Sequence, residues 1–209
     1  MGVNAKQDRS KLRVAKIIEA AHQILLTQNL EDITISNLAI HSDLKRTSTY
    51  KFFANPDDVK LLLVKRYFVE CSAEFRESDN NQNYDDLSKA LEESVIRIFN
   101  FFSKNVGAQK LILQNTVAPP AKSETLHLLS SEVISFIEKN IKLPSMFNKE
   151  GVFLVMVQIV ISIFSLNIKE NGELNQIGKS EAQRASYSYL LSCIAVSYTH
   201  LTLPTKRIV

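Results

Sequence analysis

The stretch Ile33-Thr34-Ile35-Ser36-Asn37-Leu38-Ala39-Ile40-His41-Ser42-Asp43-Leu44-Lys45-Arg46-Thr47-Ser48-Thr49-Tyr50-Lys51-Phe52-Phe53 decides the reading of this chain. Thr34 is a good N-cap, because its hydroxyl oxygen can accept one of the orphan N–H groups of a first helical turn. Ile33 before it and Leu38 four positions after it have the spacing of a hydrophobic staple. The apolar positions Ile35, Leu38 and Ala39 give out at His41, so the helix is short. Ser42-Asp43-Leu44 reads as a tight turn in which Asp43 can take a positive φ. A second short helix is expected from about Lys45 to Phe53. Helix, three-residue turn, helix is helix-turn-helix spacing. Ile35, Leu38, Ala39, Leu44 and Phe53 are the side expected to be buried, and Lys45, Arg46, Thr47, Ser48 and Lys51 remain on the outer side.

That outer mixture suits a DNA groove. Arg and Lys can pair with guanine N7 and O6, while Thr and Ser can donate, accept or offer a methyl group to thymine. Tyr50 can give its hydroxyl to a phosphate, and Thr34 and the helix N-termini can do the same with hydroxyl and backbone N–H groups. The solvated basic face of a generic helical bundle would show the same residue types, so residue chemistry alone leaves both readings open.

Working outward, residues 1–10 are polar and are expected to form a flexible arm. From Lys11 the period turns helical, with Val14, Ile17, Ile18, Ala21, Ile24 and Leu25 on one face and Arg13, Lys16, Glu19, His22 and Gln23 on the other. This helix should end near Gln28-Asn29, with Asn29 in the left-handed conformation. On the other side, Asn55-Pro56-Asp57-Asp58 puts an N-cap, a proline at the first helical position and two acids in the first turn. The helix it opens carries Val59, Leu62, Leu63, Arg66 and Tyr67 and should run to about Arg76. The reading is therefore a helix-turn-helix head over 11–55 and a connecting helix over 56–76.

Glu77 to Asn83 is a polar break and the expected domain boundary. Beyond it, over 84–196, only helices are expected: Tyr84–Asn105, Ala108–Ala118 stopped by Pro119-Pro120, Ser123–Lys142 stopped by Pro144, Lys149–Asn171 stopped by Gly172, and Lys179–Val196. The last residues, 197–209, change to Thr, Pro and basic residues without helical periodicity. They read as an adapter-derived or vector-derived tail and are set aside from the fold.

Composition agrees with an all-α class. Gly and Pro number 5 each in 209 residues, too few for a turn-rich all-β fold. Hydrophobic residues at 45% exclude whole-chain disorder. Cys71 and Cys193 are too few and too far apart for a disulfide scaffold and read as free thiols in a reducing cytoplasm. Residues 1–66 carry 11 Lys+Arg against 7 Asp+Glu, whereas the remainder carries 14 against 15, so the positive excess lies at the N-terminal end. That is the distribution of a nucleic-acid-binding head on a neutral body. No apolar segment of a signal peptide follows the start, and Lys6 stands where a myristoylation motif wants Ser or Thr. Gly151 to Ile168 is uncharged and at the lower edge of a membrane span, but Gln158, Ser162 and Ser165 form one polar stripe. A helix buried in a bundle or subunit interface, with no membrane partner, is the expectation.

At this point the residues resemble a known family. Ile33-Thr34-Ile35, Leu38-Ala39, Ser42 through Tyr50, Phe52-Phe53 and Asn55-Pro56-Asp57-Asp58-Val59 are similar to the DNA-binding domain of TetR/AcrR-type transcriptional regulators. Ile17-Ile18-Glu19-Ala20-Ala21 and Ile24-Leu25 resemble the family's opening helix in the same register. The likeness covers about residues 11–67. Asp43 stands where the family usually has Gly, and Lys45 stands where it usually has a capping Ser, a loss on the order of 1 kcal/mol. Pro56 stands where the family often has Lys, and Lys60, one turn on, can take over a phosphate contact.

The resemblance implies an all-α protein: a three-helix DNA-binding head followed by a helical ligand-binding and dimerisation bundle. It implies a homodimer through the last two helices on a pseudo-palindromic double-stranded operator, and a small-molecule effector that releases a repressor. The DNA-contacting set it implies is Thr34, Lys45, Arg46, Thr47, Ser48, Tyr50, Lys51 and Lys60, with no cofactor and no catalytic residue. Phe99, Phe101, Phe102, Phe136 and Phe153 can line an apolar effector pocket or simply fill a core. An effector-independent dimeric DNA-binding protein is the second reading. A third is an enzyme, a di-metal carboxylate bundle, because Glu19-Ala20-Ala21-His22 and Glu124-Thr125-Leu126-His127 have the Glu-x-x-His spacing of such sites. Glu19 and His22 are expected on the polar side of their helix, which argues against it.

Overall fold

The computed structural model describes residues 2–76, 84, 86–114 and 123–199, with side chains from Gln7 to Ile194 within those stretches. Among the described residues every regular element is helical. The elements are α1 (Gly2–Thr27), a 3₁₀ turn (Leu30–Asp32), α2 (Ile35–His41), α3 (Arg46–Phe52), α4 (Pro56–Ala73), α5 (Leu87–Lys104), α6 (Val106–Ala108, continuing as a π-helical segment Gln109–Gln114), α7 (Ser123–Asn140), α8 (Lys149–Asn171) and α9 (Gln176–Thr199).

Most boundaries fall where local chemistry puts them. The Thr34 hydroxyl accepts from Asn37 N at 3.2 Å and opens α2. Asn55 Oδ1 accepts from Asp57 N at 3.0 Å, with Pro56 at the first position of α4. Gly172 stops α8 at φ 77°, its N–H donating to Ile168 O. Other places differ from the sequence expectation, three of them in kind. The expected arm is helical, because α1 runs from Gly2; residues 3–10 contain no Pro or Gly, so nothing there breaks a helix. Asn29 is extended at φ −93° and caps the 3₁₀ turn, its N–H donating to Asp32 Oδ2 at 2.9 Å. Neighbouring acceptors thus hold Asn29 out of the left-handed region. The third is the segment after α5, where the expected α-helix is π-helical over Gln109–Gln114. Helix α9 also runs longer than expected, from Gln176 to Thr199, three residues into the segment expected to be a non-helical tail. The expected end of the segment after α5 at Pro119, the break at 77–83 and the rest of the tail lie outside the described residues.

The chain folds as two compact units, residues 1–68 with 102–122 and residues 69–101 with 123–209. The division thus falls within α4 and α5 rather than at the polar break. In the first unit α1, α2 and α4 bury Ile17, Ile24, Leu25, Leu38, Leu63 and Tyr67 completely. The segment after α5 belongs there because Lys110 Nζ donates to Leu25 O and Gln28 O, both at 2.8 Å, capping the end of α1. In addition, Tyr67 Oη bonds His22 Nδ1 at 2.7 Å beneath Gly107.

The second unit packs α8 against α7 and α9, with Phe153, Met156, Val157, Val160 and Phe164 fully buried. Phe99 meets Phe164 edge-on, and Phe136 meets Phe75 and Tyr84 the same way. Phe99, Phe101, Phe102, Phe136 and Phe153 are all buried, and these contacts use Phe99 and Phe136 as core. A buried asparagine fixes the α8–α9 turn: Asn167 Oδ1 accepts from Asn175 N at 2.9 Å, and its amide donates to Asn175 Oδ1 at 3.1 Å. Burial pushes the Cys71 thiol far above the ordinary range, so it is an inert core residue.

Candidate nucleic-acid interface

The turn between α2 and α3 is locked by its own backbone. Leu44 N donates to Ala39 O at 3.0 Å, and the buried Ser42 hydroxyl donates to Leu38 O at 2.6 Å. Asp43 takes φ 55°, the left-handed conformation an aspartate tolerates where the chain must reverse sharply. Asn37 Nδ2 donates back to Asp32 O at 2.8 Å, tying α2 to the preceding turn. Lys45 is the N-cap of α3 and makes no side-chain cap bond, as expected from its residue type.

This rigid frame sorts α3 into two faces. Thr49 is fully buried, with its hydroxyl on Lys45 O, and Phe53 closes the core just past the helix. Lys45, Arg46, Thr47, Tyr50 and Lys51 are exposed and Ser48 is half-buried. They form the outward side of α3, with three cations, two hydroxyls and a phenol. Arg46 lies over the Tyr50 ring at 5.6 Å from its centroid and donates to Tyr50 Oη at 3.5 Å. That contact stiffens the guanidinium at low cost and leaves most of its five donors for a ligand. Thr34 sits at the start of α2 with its oxygen lone pair used in the cap and its O–H still able to donate.

Lys60 stands apart from the set. Its ammonium pairs with Asp57 Oδ1 at 3.0 Å and its side chain is 18% exposed. It is a local helix pair first, and any anion it meets must compete with Asp57.

Sequence reasoning missed the polar contacts that hold the floor of the head. Arg66 Nη1 donates to Glu19 Oε2 at 2.7 Å. Hydrogen bonds from Gln23 and then Arg66 hold the Glu19 carboxyl below the usual carboxylate range. His22, expected on a solvated face, is half-buried against Tyr67. Glu19 and His22 are thus committed to different partners, and among the described residues no group of three metal-ligating side chains is assembled.

Two solved structures share the architecture. A TetR-family transcriptional regulator from Streptomyces coelicolor superposes with a TM-score of 0.63 at 15% identity, covering 87% of this chain and 99% of that one. A TetR transcriptional regulator from Rhodococcus sp. RHA1 gives a TM-score of 0.68 at 12% identity, covering 88% of this chain and 98% of that one. No protein-family profile and no curated protein matches the chain. At these identities the likeness is one of fold: the chain has the all-helical fold of TetR-family regulators over most of its length.

Proposed function

We propose that this chain is a sequence-specific DNA-binding transcriptional regulator. The observation that carries the reading is the outward row on α3: Lys45, Arg46, Thr47, Ser48, Tyr50 and Lys51 on a short helix whose other face is locked into a core. A frame of this kind presents side chains to base edges with little entropy left to lose. The fold shared with two transcriptional regulators supports it.

Arg46 and Lys51 read base edges in this scheme, while Thr34 and Tyr50 orient the head on phosphates. The chain works as a homodimer through α8 and α9, placing two α3 helices about 34–36 Å apart, or a multiple of that, on a pseudo-palindromic operator. In favour of that pairing, α8 has a mean hydropathy of 2.3 over its best window yet only half of that window is buried. Val155 and Leu166 on α8 and Leu191 on α9 stand exposed, and covering them with a second copy removes apolar surface from water. Length and composition would also let α8 cross a membrane, but its buried face belongs to the core of the second unit.

The regulator acts as a repressor in the cytoplasm, released by a small apolar or amphipathic molecule that binds a conformation with altered spacing of the heads. Helix α4, which carries Arg66 and Tyr67 of the first unit and Cys71 and Ser72 of the second, is the element through which that release would pass. A ligand shifts this equilibrium only by its differential affinity, typically about 1–3 kcal/mol.

The test is selection of duplexes from a random-sequence pool by the purified chain. An enriched inverted repeat is expected, with binding lost on Arg46→Ala or Lys51→Ala. Recovery of no enriched sequence at low salt would sink the reading. Sedimentation at micromolar concentration reads out the dimer.

A further inference from the structure

We propose that the groove between the N-terminal half of α1 and the end of α3 binds a free anionic amphiphile, its carboxylate at Lys11 and its apolar tail along Val14, Ala15, Ile18 and Phe52. The first unit builds this site alone, and the site stands whether or not the chain reads DNA.

The groove exists because the head carries more apolar side chains than its core takes in. On α1, Ile17, Ala21, Ile24 and Leu25 are completely buried, and Phe53 is buried just past the end of α3. Ile18 and Phe52, each one residue aside from a core position, are only half-buried, as is Val14, and Ala15 is exposed. Val14, Ala15 and Ile18 follow Lys11 at three, four and seven positions, so all four share one face of α1. With Gln7, one turn before Lys11, they line an open groove of about 420 Å³ that Phe52 walls on the α3 side. Apolar surface left in water there favours any ligand that covers it.

The two ends of the groove differ in chemistry. Val14, Ala15, Ile18 and Phe52 offer only hydrocarbon, whereas Lys11 and Gln7 set a cation and an amide at the other end. Lys11 and Ile18 are about 10 Å apart along the helix axis. None of the lining residues is acidic. Asp8 stands three positions before Lys11, yet Lys11 makes no ion pair among the described residues. Elsewhere in the same unit Lys60 and Arg66 are engaged by Asp57 and Glu19. The complement of this groove is therefore a negative head on an apolar tail. Size decides between a small molecule and a macromolecule. Sites for small molecules run to about 300–1,000 Å³, whereas a stable protein interface takes about 20–30 residues a side. Seven residues line this groove. Because Phe52 is the last residue of α3, a ligand seated here touches that helix directly, without α4 as intermediary.

The probes are octanoate, decanoate and dodecanoate below their micelle concentrations, added to the full chain with Ala, Ile and Val methyl groups labelled for NMR. The methyls of Val14, Ala15 and Ile18 should shift and saturate, while those of Val155 and Val160 on α8 stay in place. Each added methylene should tighten binding about two- to fourfold until the groove is full, fourfold corresponding to complete burial. Lys11→Gln should weaken dodecanoate about two- to fivefold, the worth of one exposed ion pair. Lys16→Gln, on the same helix but outside the groove, should leave it unchanged. Ala15→Glu, a helix-compatible change at an exposed position, sets a carboxylate against the tail and should weaken binding at least about tenfold. Shifts confined to the second unit overturn the proposal, as does an affinity that neither Lys11→Gln nor Ala15→Glu changes. Equal losses in Lys11→Gln and Lys16→Gln also overturn it, because net charge then accounts for the effect. If free dodecanoate shifts nothing while Ala15→Glu abolishes binding to phosphatidylglycerol vesicles, the groove is a membrane contact and the proposal fails. If dodecanoate shifts nothing while Ala15→Glu abolishes self-association in sedimentation, a second copy covers the groove and the proposal fails. No readout here involves DNA, so this site and the DNA-binding reading stand or fall separately.

Discussion

Gly107→Ala is the sharpest test of how the first unit is held together. A Cβ at that position would stand 2.2 Å from Tyr67 Oη, 3.2 Å from Tyr67 Cζ and 3.5 Å from His22 Nδ1. Tyr67 cannot swing away: it is fully buried and its hydroxyl is bonded to His22 at 2.7 Å. Either the ring is displaced and the hydrogen bond breaks, or α6 moves off α1 and strains the Lys110 cap. Overpacking of this kind costs about 1–3 kcal/mol, and the lost half-buried hydrogen bond adds about 1 kcal/mol. The expected loss is therefore about 2–4 kcal/mol, a fall in Tm on the order of 10 °C for a chain of this size. Tyr67→Phe alone should cost about 1–2 kcal/mol, since it removes the bond and leaves the His22 nitrogen unmet. In the Tyr67→Phe background the 2.2 Å collision no longer exists, so Gly107→Ala should cost less than half of what it costs in the parent. Urea unfolding of the two single variants and the double variant closes the cycle. Additivity within about 0.5 kcal/mol would refute the contact as the source of the cost.

Further outcomes follow from other contacts. In the second unit a Cβ on Gly178 would lie 2.4 Å from Asn167 Cγ, so Gly178→Ala should destabilise by about 2–4 kcal/mol in urea unfolding, by breaking the Asn167–Asn175 lock. Lys110→Met leaves Leu25 O and Gln28 O without their donor at a helix C-terminus; a loss of about 1–3 kcal/mol by thermal melting is expected, partly restored by Lys110→Arg. Arg46→Ala should weaken a selected duplex more than a scrambled one, while Lys60→Ala, already paired with Asp57, should change either by less than about tenfold in a binding titration. Glu19→Gln should cost under about 1 kcal/mol near neutral pH, because the pair is half-exposed. The Glu19 carboxyl is held low, so its contribution is present above the ordinary value of 4.5 and fades as pH falls below it; parent and variant stabilities should converge there in a pH series of melts.

The fold was legible in the sequence wherever a boundary is set by a few neighbouring residues. Thr34, Asp43, Asn55-Pro56 and Gly172 each act over one turn of chain, so their types alone place the ends of α2, the turn before α3, the start of α4 and the stop of α8. The outward residues of α3 were legible for a related reason: with Phe53 on the buried side, the cations and hydroxyls of a short helix have only the other side to occupy, while the burial of Thr49 was not legible. What was not legible depends on partners far along the chain. No local pattern brings Lys110 to the carbonyls of Leu25 and Gln28, or Tyr67 to His22, and these contacts rather than the polar break at 77–83 decide which residues form the first unit. His22 falls on the polar side of its helical wheel, which counts faces on one helix and knows nothing of the next.

The polarity of the first residues predicts an arm, yet a polar segment without breakers can remain helical when it continues a helix already nucleated elsewhere, because adding a residue costs far less than starting a turn. Ile17 to Leu25 supply that nucleus through burial, and α1 propagates backwards from them to Gly2. A disordered arm would spread the charges of this segment over many conformations, whereas a helix fixes each of them at one place on its surface.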